Sequence, residues 1–437
     1  MPITTWITRL LGSRLLPLAL LTLLSSACDT EGLLDVDLPG NVEADDVEAP
    51  AMATVMRNSA IGDFECVWDS YVTQSALHSD EYLPASGNIT AQRSMLRQIT
   101  PDFTAYAQGS CAGWTGIFTP MHTARFMLES HYDRLQGFTD EEVPERQQYM
   151  AEMRAYAGFT YVAFGEGYCG TPIDAGDEIL TPEQLLDIAV SRFTDALDLA
   201  QQAGNADLVD MARVGRARAN LDLENYEDAI SDAELVTEGF EVMATREAQP
   251  SRRQNTLESI NRLESNRSGT VAPSFRDLRW KGEEDPRVNV VNTGFVGHDN
   301  ASIIWRHDKV ETQGDDRLIA SYREARLFLA EAAAMTNDLD RAIGILQDLH
   351  DEAGIPTVTE DDLPTQDAVI EHVIEERKRE LFVEGGHRLR DHLRWRGTPY
   401  EVPFLGEPGS DHPDGTNDYG QPYGTTTCYP VPNIEST

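Results

Sequence analysis

The chain has 437 residues, and 74 acidic side chains against 35 basic ones give it a formal net charge of −39 at pH 7. Such an acidic surface repels phosphate, which argues against nucleic acid as a partner. The length is enough for a full hydrophobic core in one interwoven domain, or for two or three separate domains.

The N-terminus has the pattern of an export signal. Two arginines precede a short apolar run, residues 15–24, which is too short to cross a bilayer. Small residues then lead to Cys28, as at a lipoprotein processing site. We predict that residues 1–27 are a lipoprotein signal peptide, that Cys28 carries a lipid anchor, and that residues 28–45 form a tether. The alternative is an ordinary cleaved signal followed by a free or paired cysteine.

Four further cysteines follow Cys28. An even number in an exported chain favours disulfide bonds, and four cysteines allow three connectivities. Among these we favour Cys66 with Cys111 and Cys169 with Cys428, because each pair closes a long loop. The cysteine spacing contains no zinc-binding pattern, so we predict no metal site.

Three segments share the spacing of the second helix of a tetratricopeptide repeat, in which small or apolar residues are offset by four and then three residues. First helices are predicted before them at 146–164, 211–222 and 322–335. The three sets are Ala189, Phe193 and Ala196; Ala229, Ala233 and Val236; and Ala342, Leu346 and Leu349. Helical pairs are therefore expected over about 146–236 and 320–396.

Two other regions lack this periodicity. Residues of about 240–318 are rich in Asn, Gly, Arg and Asp, which predicts loops and short strands. Residues 397–437 form a C-terminal excursion rich in Gly and Pro. Within it, residues 409–418 offer oxygen ligands of the kind calcium prefers, but without the spacing of an EF-hand, so we predict a solvated turn.

A dense charged motif occupies residues 376–395. It continues a helix with one apolar face, and its opposite charges recur three to four residues apart. The motif comprises Glu376, Arg377, Glu380, Glu384, Arg388, Asp391, Arg394 and Trp395. We predict that these side chains form a structural network between packed helices, and that Gly385 and Gly386 turn the chain.

The order E-R-x-x-E-L-x-x-E-G-x-x-R-x-x-D-x-x-R-W over 376–395 resembles the C-terminal motif of SusD/RagB-like lipoproteins. Three shorter segments also resemble that family: 78–81, the Asp-Pro-Arg step at 285–287, and the tail at 428–435. The resemblance extends over residues 28–437. It implies a mainly α SusD-like fold, with interrupted tetratricopeptide-type helical pairs, loop-rich excursions and short strands, in a single domain over residues 46–437.

The same resemblance implies a function. Family members are surface lipoproteins that capture nutrients for a TonB-dependent outer-membrane transporter. We therefore expect a lipid-anchored outer-membrane protein, displayed on the exterior, that binds oligosaccharide or peptide and delivers it to a SusC-like transporter. No cofactor is expected, and no P-loop, dinucleotide fingerprint, HExxH or GxSxG motif indicates an enzyme. The alternatives are a tetratricopeptide-type lipoprotein scaffold for envelope assembly and, more remotely, a glycan-processing enzyme.

Capture of sugars or peptides needs flat apolar faces beside hydrogen-bonding groups, which Trp and Tyr provide. We favour Trp68 and Tyr82, which flank a polar segment, and Trp280, which lies among charges before a loop. Trp305 falls in an alternating segment that favours an inward-facing strand residue. The other aromatic candidates are Trp114, Trp395, Tyr71 and Tyr419, of which Trp114 and Trp395 fit the core better.

Overall fold

The computed structural model describes residues 49–113, 116–173, 178–262 and 267–433. The predicted signal peptide, the tether, Cys28 and Trp114 lie outside these residues. Helices dominate the described chain, and its strands are short and pair only in twos. Among the described residues, none of the helices combines the length and the apolar character that a membrane crossing requires.

The described residues contain thirteen α-helices, and most lie in the ranges predicted from the spacing of apolar residues. They are α1 (Ala53–His78), α2 (Ile89–Met95), α3 (Thr104–Gln108), α4 (Phe118–Gln136), α5 (Arg146–Gly167), α6 (Pro182–Ala203), α7 (Ala206–Asp222), α8 (Tyr226–Ala233), α9 (Thr256–Asn261), α10 (Tyr322–Met335), α11 (Leu339–Ala353), α12 (Gln366–Glu380) and α13 (His387–Arg394).

Ten short strands form five antiparallel pairs, namely β1 with β5, β4 with β10, β2 with β3, β6 with β7, and β8 with β9. Their bounds are β1 (Tyr82–Pro84), β2 (Thr171–Pro172), β3 (Ile179–Leu180), β4 (Glu241–Ala244), β5 (Gly269–Val271), β6 (Arg279–Trp280), β7 (Glu283–Glu284), β8 (Val290–Val296), β9 (Ile303–His307) and β10 (Arg317–Ser321). Most of them fall in the predicted loop-rich region.

Small residues let the helices of the first two pairs approach closely. Phe193 on α6 is fully buried, and its ring fills the space that side chains on Gly158 of α5 and Gly215 of α7 would occupy. A Cβ atom at either glycine would lie less than 3 Å from the Phe193 ring. The spacing of Ala189, Phe193 and Ala196 therefore marks a true helix–helix contact.

Local signals fix the helix ends. Thr181 and Gln184 form a reciprocal capping box at the start of α6, and Gly204 ends that helix in the left-handed conformation with φ 66°. Asn205 then caps α7 by accepting a hydrogen bond from the backbone N–H of Leu208. This cap starts α7 five residues before the predicted boundary at 211.

Two disulfide bonds join distant parts of the fold. Cys66 pairs with Cys111 across 45 residues, and Cys169 pairs with Cys428 across 259 residues. This is the connectivity favoured from the sequence. The second bond ties the segment after α13 to the end of α5, where Tyr168 and Tyr429 also form an isolated bridge.

The loop-rich residues have a core of their own. Apolar residues from the end of α1, from α2 and α9, and from β1 and β5 cluster there with Phe275 and Phe382. Those two rings stack with centroids 4.9 Å apart. The short strands therefore rest on a packed layer, which holds the loops around them in defined positions.

Candidate functional site

The charged motif forms the ion-pair network that the sequence predicts. Arg388 donates to both carboxylate oxygens of Asp80 at 2.6 Å, which joins α13 to the end of α1. Arg394 pairs with Glu331 of α10, and Arg377 pairs with Asp391 at 3.0 Å. These side chains are each at most 9 % exposed, so the network lies between packed helices.

The remaining members of the motif extend the network towards the loop-rich region. Glu376 accepts from Arg287 of the Asp-Pro-Arg step at 2.6 Å, and Glu384 accepts from Lys309 at 2.9 Å. Glu380 lies 3.3 Å from Arg323. Trp395 is only 5 % exposed and packs in the core with the Arg394 guanidinium 4.7 Å above its ring.

A buried carboxylate supports the turn at the centre of this network. Val383 has φ 56°, a conformation that costs a β-branched residue energy, and it precedes Gly385 and Gly386, which also have positive φ. Glu81 accepts a hydrogen bond from the Val383 N–H at 2.7 Å. Burial raises the pKa of Glu81 to about 7, although this hydrogen bond opposes the shift.

Away from the network, two neighbouring hollows of about 250 and 340 Å³ share Pro84 and Tyr419. We call them together the aromatic cleft. The smaller is lined by Leu83, Pro84, Thr270, Arg276, Ser302, Ile303, Trp305, His412, Asn417, Asp418 and Tyr419. The larger is lined by Pro84, Ser86, Gly87, Gln92, His298, Asp299, Ala301, Tyr419 and Gln421.

Trp305 is positioned by β9 and by the core beneath it. Its backbone N–H donates to Thr270 Oγ1 at 2.8 Å, and its carbonyl accepts from Asn261 at 3.0 Å. The indole is half-buried and packs on the core of the loop-rich region. The Arg276 guanidinium lies 4.7 Å from the centroid of the Trp305 ring and makes a cation–π contact with it. The indole also borders the cleft.

Tyr419 is presented by a turn centred on Asn417. The Asn417 side-chain oxygen accepts from the backbone N–H groups of Tyr419 and Gln421 at 3.1 and 2.9 Å, and its amide donates to the Gln421 side chain at 2.7 Å. The turn is therefore hydrogen-bonded internally, while the Tyr419 side chain is 51 % exposed. A rigid backbone thus displays an aromatic ring to solvent.

The part of the lining around Asp299 is also held by hydrogen bonds. Asp299 accepts from the backbone N–H groups of Ala301 and Ser302 at 2.9 Å each and from the Ser302 hydroxyl at 2.5 Å. Beside it, the side chains of Gln92 and His298 make no hydrogen bond to any other described residue. Fixed loops therefore surround polar groups that are available to a ligand.

A further cleft, of about 560 Å³, lies beside the ion-pair network. Its basic side chains already pair with carboxylates of the lining, since Arg287 and Arg323 face Glu380, and Lys309 faces Glu384. Volume alone does not make it the better ligand site. The aromatic cleft combines half-exposed rings with unsatisfied polar groups, and we take it as the candidate site.

Comparison with known proteins agrees with this architecture. The model of the SusD family matches residues 306–429, which include the whole charged motif. A crystal structure of a SusD-like carbohydrate binding protein from Bacteroides vulgatus superposes with a TM-score of 0.64 at 18 % identity, over 89 % of this chain and 96 % of that one. Residues 306–429 match the SusD family, and the described residues share the fold of SusD-like proteins. The predicted mainly α SusD-like fold is thereby confirmed.

Two further structures with the same fold were solved for glycan binders. A laminarin binding SusD-like protein has a TM-score of 0.62 at 14 % identity, over 87 % of this chain and 96 % of that one. Surface glycan-binding protein A from Bacteroides thetaiotaomicron, in complex with laminarihexaose, has a TM-score of 0.60 at 14 % identity, over 87 % and 97 %. None of the curated proteins matches the sequence.

Two of the predicted platform residues are buried instead. Trp68 is fully buried in α1, where its indole N–H donates to the Leu318 carbonyl at 2.8 Å. Tyr82 is also fully buried, because β1 has protein on both faces. The polar segment beside them misled the prediction, since Asp80 and Glu81 serve the ion-pair network and the turn at Val383 and not a ligand.

Trp280 lies apart from the aromatic cleft. It is half-buried and contacts His350 and His372, with ring centroids 5.4 and 4.7 Å away. A platform role for Trp280 stays a prediction. Trp305, by contrast, was expected to face inward, but its half-buried ring both packs on the core and borders the cleft.

The sequence contained weak signals for the residues that it did not single out. Tyr419 stands in a loop rich in Gly, Asp and Asn, where an aromatic side chain has little core to join. The carboxylates of residues 409–418 do not converge on one point; Asp411, for example, accepts from the Ser274 N–H at 2.8 Å. Among the described residues, only His350, His372 and Glu376 bring ligand atoms close enough to share an ion.

Proposed function

We propose that this protein captures an uncharged oligosaccharide in the aromatic cleft, at the cell surface, and delivers it to a TonB-dependent outer-membrane transporter. The observation that carries the proposal is the joint placement of Trp305 and Tyr419 around one cleft with free amide and imidazole groups. The glycan-binding proteins of the same fold support it.

The physical basis is stacking combined with hydrogen bonding. Pyranose rings have apolar faces that pack on aromatic rings, while their hydroxyl groups need donors and acceptors at the edges. Tyr419 offers an exposed ring, Trp305 offers the part of its indole that borders the cleft, and Gln92, His298 and Gln421 offer hydrogen-bonding groups. Capture by such a cleft requires no bond to be made or broken.

Charge favours an uncharged ligand over an acidic one. The chain carries a net charge of −39, and Asp299 and Asp418 line the cleft directly. Arg276 is the cation in the lining, and its guanidinium is already held by the Val271 carbonyl at 2.5 Å. The negative charge of the protein would therefore repel a polyanionic glycan, and the cleft offers it no unpaired cation among the described residues.

Calorimetry with the purified chain beginning after Cys28 tests the proposal. The probes are neutral hexasaccharides, with laminarihexaose first, and peptides of similar length. We expect at least one neutral glycan to bind. We expect Trp305→Ala and Tyr419→Ala each to lower the affinity for that glycan by about 5–30-fold, the equivalent of about 1–2 kcal/mol of lost stacking.

Phe126→Ala is the matched control, because Phe126 is an aromatic residue with 56 % exposure on α4, outside the cleft. Its affinity should equal that of the unmodified protein. Binding of peptides with no binding of glycans would refute the sugar proposal, and so would glycan binding that survives both cleft substitutions.

Anchoring and delivery need separate tests. Mass spectrometry of the protein from membranes should find Cys28 acylated at a new N-terminus, with residues 1–27 removed. Purification from gently solubilised membranes should recover a β-barrel transporter with the protein. Recovery of envelope-assembly proteins without such a barrel would favour the scaffold alternative.

A further inference from the structure

Two neighbouring helices bring together three side chains of types that bind metals, one of which, Glu376, begins the charged motif. His372 and Glu376 are four residues apart on α12 and so project from the same face of that helix. His350, near the end of α11, lies opposite them. All three side chains are buried, with exposures of 7 %, 1 % and 0 % for His372, Glu376 and His350.

The separations of the three ligand atoms suit one small ion. His350 Nε2 lies 3.2 Å from His372 Nε2 and 2.9 Å from Glu376 Oε1, and His372 Nε2 lies 3.8 Å from the same oxygen. Ligands at about 2.0–2.1 Å from a tetrahedral zinc ion are about 3.3 Å from one another. The three distances bracket that value, so each atom needs to move only by tenths of an ångström.

Proton counting gives an independent reason to place a cation there. His350 Nδ1 lies 2.9 Å from the Pro356 carbonyl, an acceptor, so Nδ1 carries the hydrogen. In the neutral ring Nε2 then carries a lone pair and no hydrogen, and it lies 2.9 Å from Glu376 Oε1. Two acceptors at that distance need either a second proton on His350 or a metal ion between them.

The surroundings already prepare the three groups for coordination. The backbone carbonyl of Pro356 fixes the tautomer of His350, as outer partners of metal-binding histidines commonly do. Arg287 donates to Glu376 Oε2 at 2.6 Å and to Oε1 at 3.3 Å, which fixes the carboxylate with Oε1 facing the histidines. Trp280 packs against both imidazole rings, with centroids 4.7 and 5.4 Å away.

We propose that His350, His372 and Glu376 bind one divalent transition-metal ion of the zinc type, with a water molecule as fourth ligand, and that this ion joins α11 to α12. Two imidazoles and one carboxylate form a ligand set typical of zinc, whereas calcium and magnesium prefer oxygen ligands alone. The site lies outside the aromatic cleft and is independent of the proposed function.

Metal analysis of the intact chain, purified without a histidine tag, tests this inference. The protein is stripped with a chelator, equilibrated with zinc chloride, freed of excess metal and analysed by mass spectrometry for zinc. We expect one zinc per chain in the unmodified protein and none in His372→Gln. X-ray absorption should show nitrogen and oxygen ligands at about 2.0–2.1 Å with an imidazole outer shell.

His131→Gln is the matched control, because His131 is a buried histidine on α4, outside the cluster. It should retain one zinc per chain. Zinc should also raise the melting temperature of the unmodified protein and of the control, but not that of His372→Gln. Less than one tenth of a zinc per unmodified chain, or one zinc retained by His372→Gln, would overturn the proposal.

Discussion

The helical pairs and the aromatic cleft use polar residues in opposite ways. Between the helices, arginines and carboxylates are buried and engage one another, as Arg388 does with Asp80. In the cleft, polar side chains such as Gln92 and His298 stand at the surface of a hollow with no protein partner among the described residues. The first arrangement holds the fold together, and the second leaves groups free for a ligand.

This contrast shows why charge density is a poor guide to a binding site in this protein. The densest motif, residues 376–395, is satisfied internally, whereas the cleft comes from sparse residues on β9, α2 and the loops. Removing one partner of a buried pair leaves an uncompensated charge, but removing an exposed ring leaves the core intact. Substitutions in the two regions should therefore separate stability from binding.

The largest loss of stability is expected for Arg388→Ala. Asp80 would remain buried without its guanidinium partner, which typically costs about 3–5 kcal/mol of the free energy of unfolding. Urea denaturation followed by circular dichroism measures it. Arg323→Ala is the control: the Arg323 side chain is 64 % exposed, so its ion pair with Glu380 should contribute only about 0–1 kcal/mol. Equal losses in the two variants would contradict a buried structural network.

A pH effect of intermediate size should come from Glu81. Burial raises its pKa from 4.5 to about 7 in the folded protein, which binds the proton more tightly than the unfolded chain does. The resulting stabilisation is complete below pH 4.5 and is lost as pH rises through 7. Between pH 5 and pH 8 the contribution of Glu81 to the free energy of unfolding should therefore fall by about 2–3 kcal/mol.

Glu81→Gln isolates that contribution. Glutamine can still accept the Val383 N–H but cannot ionise. The variant should be less sensitive to pH than the unmodified protein, although Glu324, whose pKa burial also raises to about 7, will leave some dependence of the same sign. Parallel pH profiles of unfolding free energy for the two proteins would show that Glu81 does not titrate as proposed.

Two glycine-to-alanine substitutions test how closely the helices pack, by their effects on stability. In Gly215→Ala the new Cβ would lie 2.3 Å from carbon atoms of the Phe193 ring, and such overpacking should cost about 1–3 kcal/mol. Gly344 on α11 has no heavy atom within 4 Å of the same position, so Gly344→Ala should be neutral or stabilise by up to about 1 kcal/mol. Thermal melting of both variants should show opposite signs.

The smallest effect on stability should come from the residue that matters most for binding. Tyr419 is 51 % exposed and its turn is held by Asn417, so Tyr419→Ala should change the free energy of unfolding by no more than about 0.5 kcal/mol. Chemical denaturation of the variant that is used for calorimetry provides the measurement. A large loss would show that the ring supports the fold.

The sequence predicts the helical part of this fold well because local spacing decides it. The periodic run at 322–335 becomes α10 with the same bounds, and the charged motif becomes the network. The cleft is harder to predict because it is assembled from segments far apart in the chain. Alternation showed that Trp305 lies in a strand, but not that one side of its ring would border a hollow.

The same limit explains the missed histidine cluster. A histidine and a glutamate at i and i+4 are common on helices, and only the packing of α11 on α12 brings His350 within reach of them. The prediction that Trp68 and Tyr82 form a ligand platform was wrong for a related reason. Tertiary contacts cover the parts of α1 and β1 that carry these two residues.

The cross-link between Cys169 and Cys428 sets an order of assembly. Its two sulfurs are separated by 259 residues, and the loop that displays Tyr419 lies within that interval. That loop can be fastened to the helices only after its own segment has been synthesised and has met the end of α5. The aromatic cleft is therefore completed after the helices, so chains whose thiols have not yet joined should hold their helices before the Tyr419 loop is fastened.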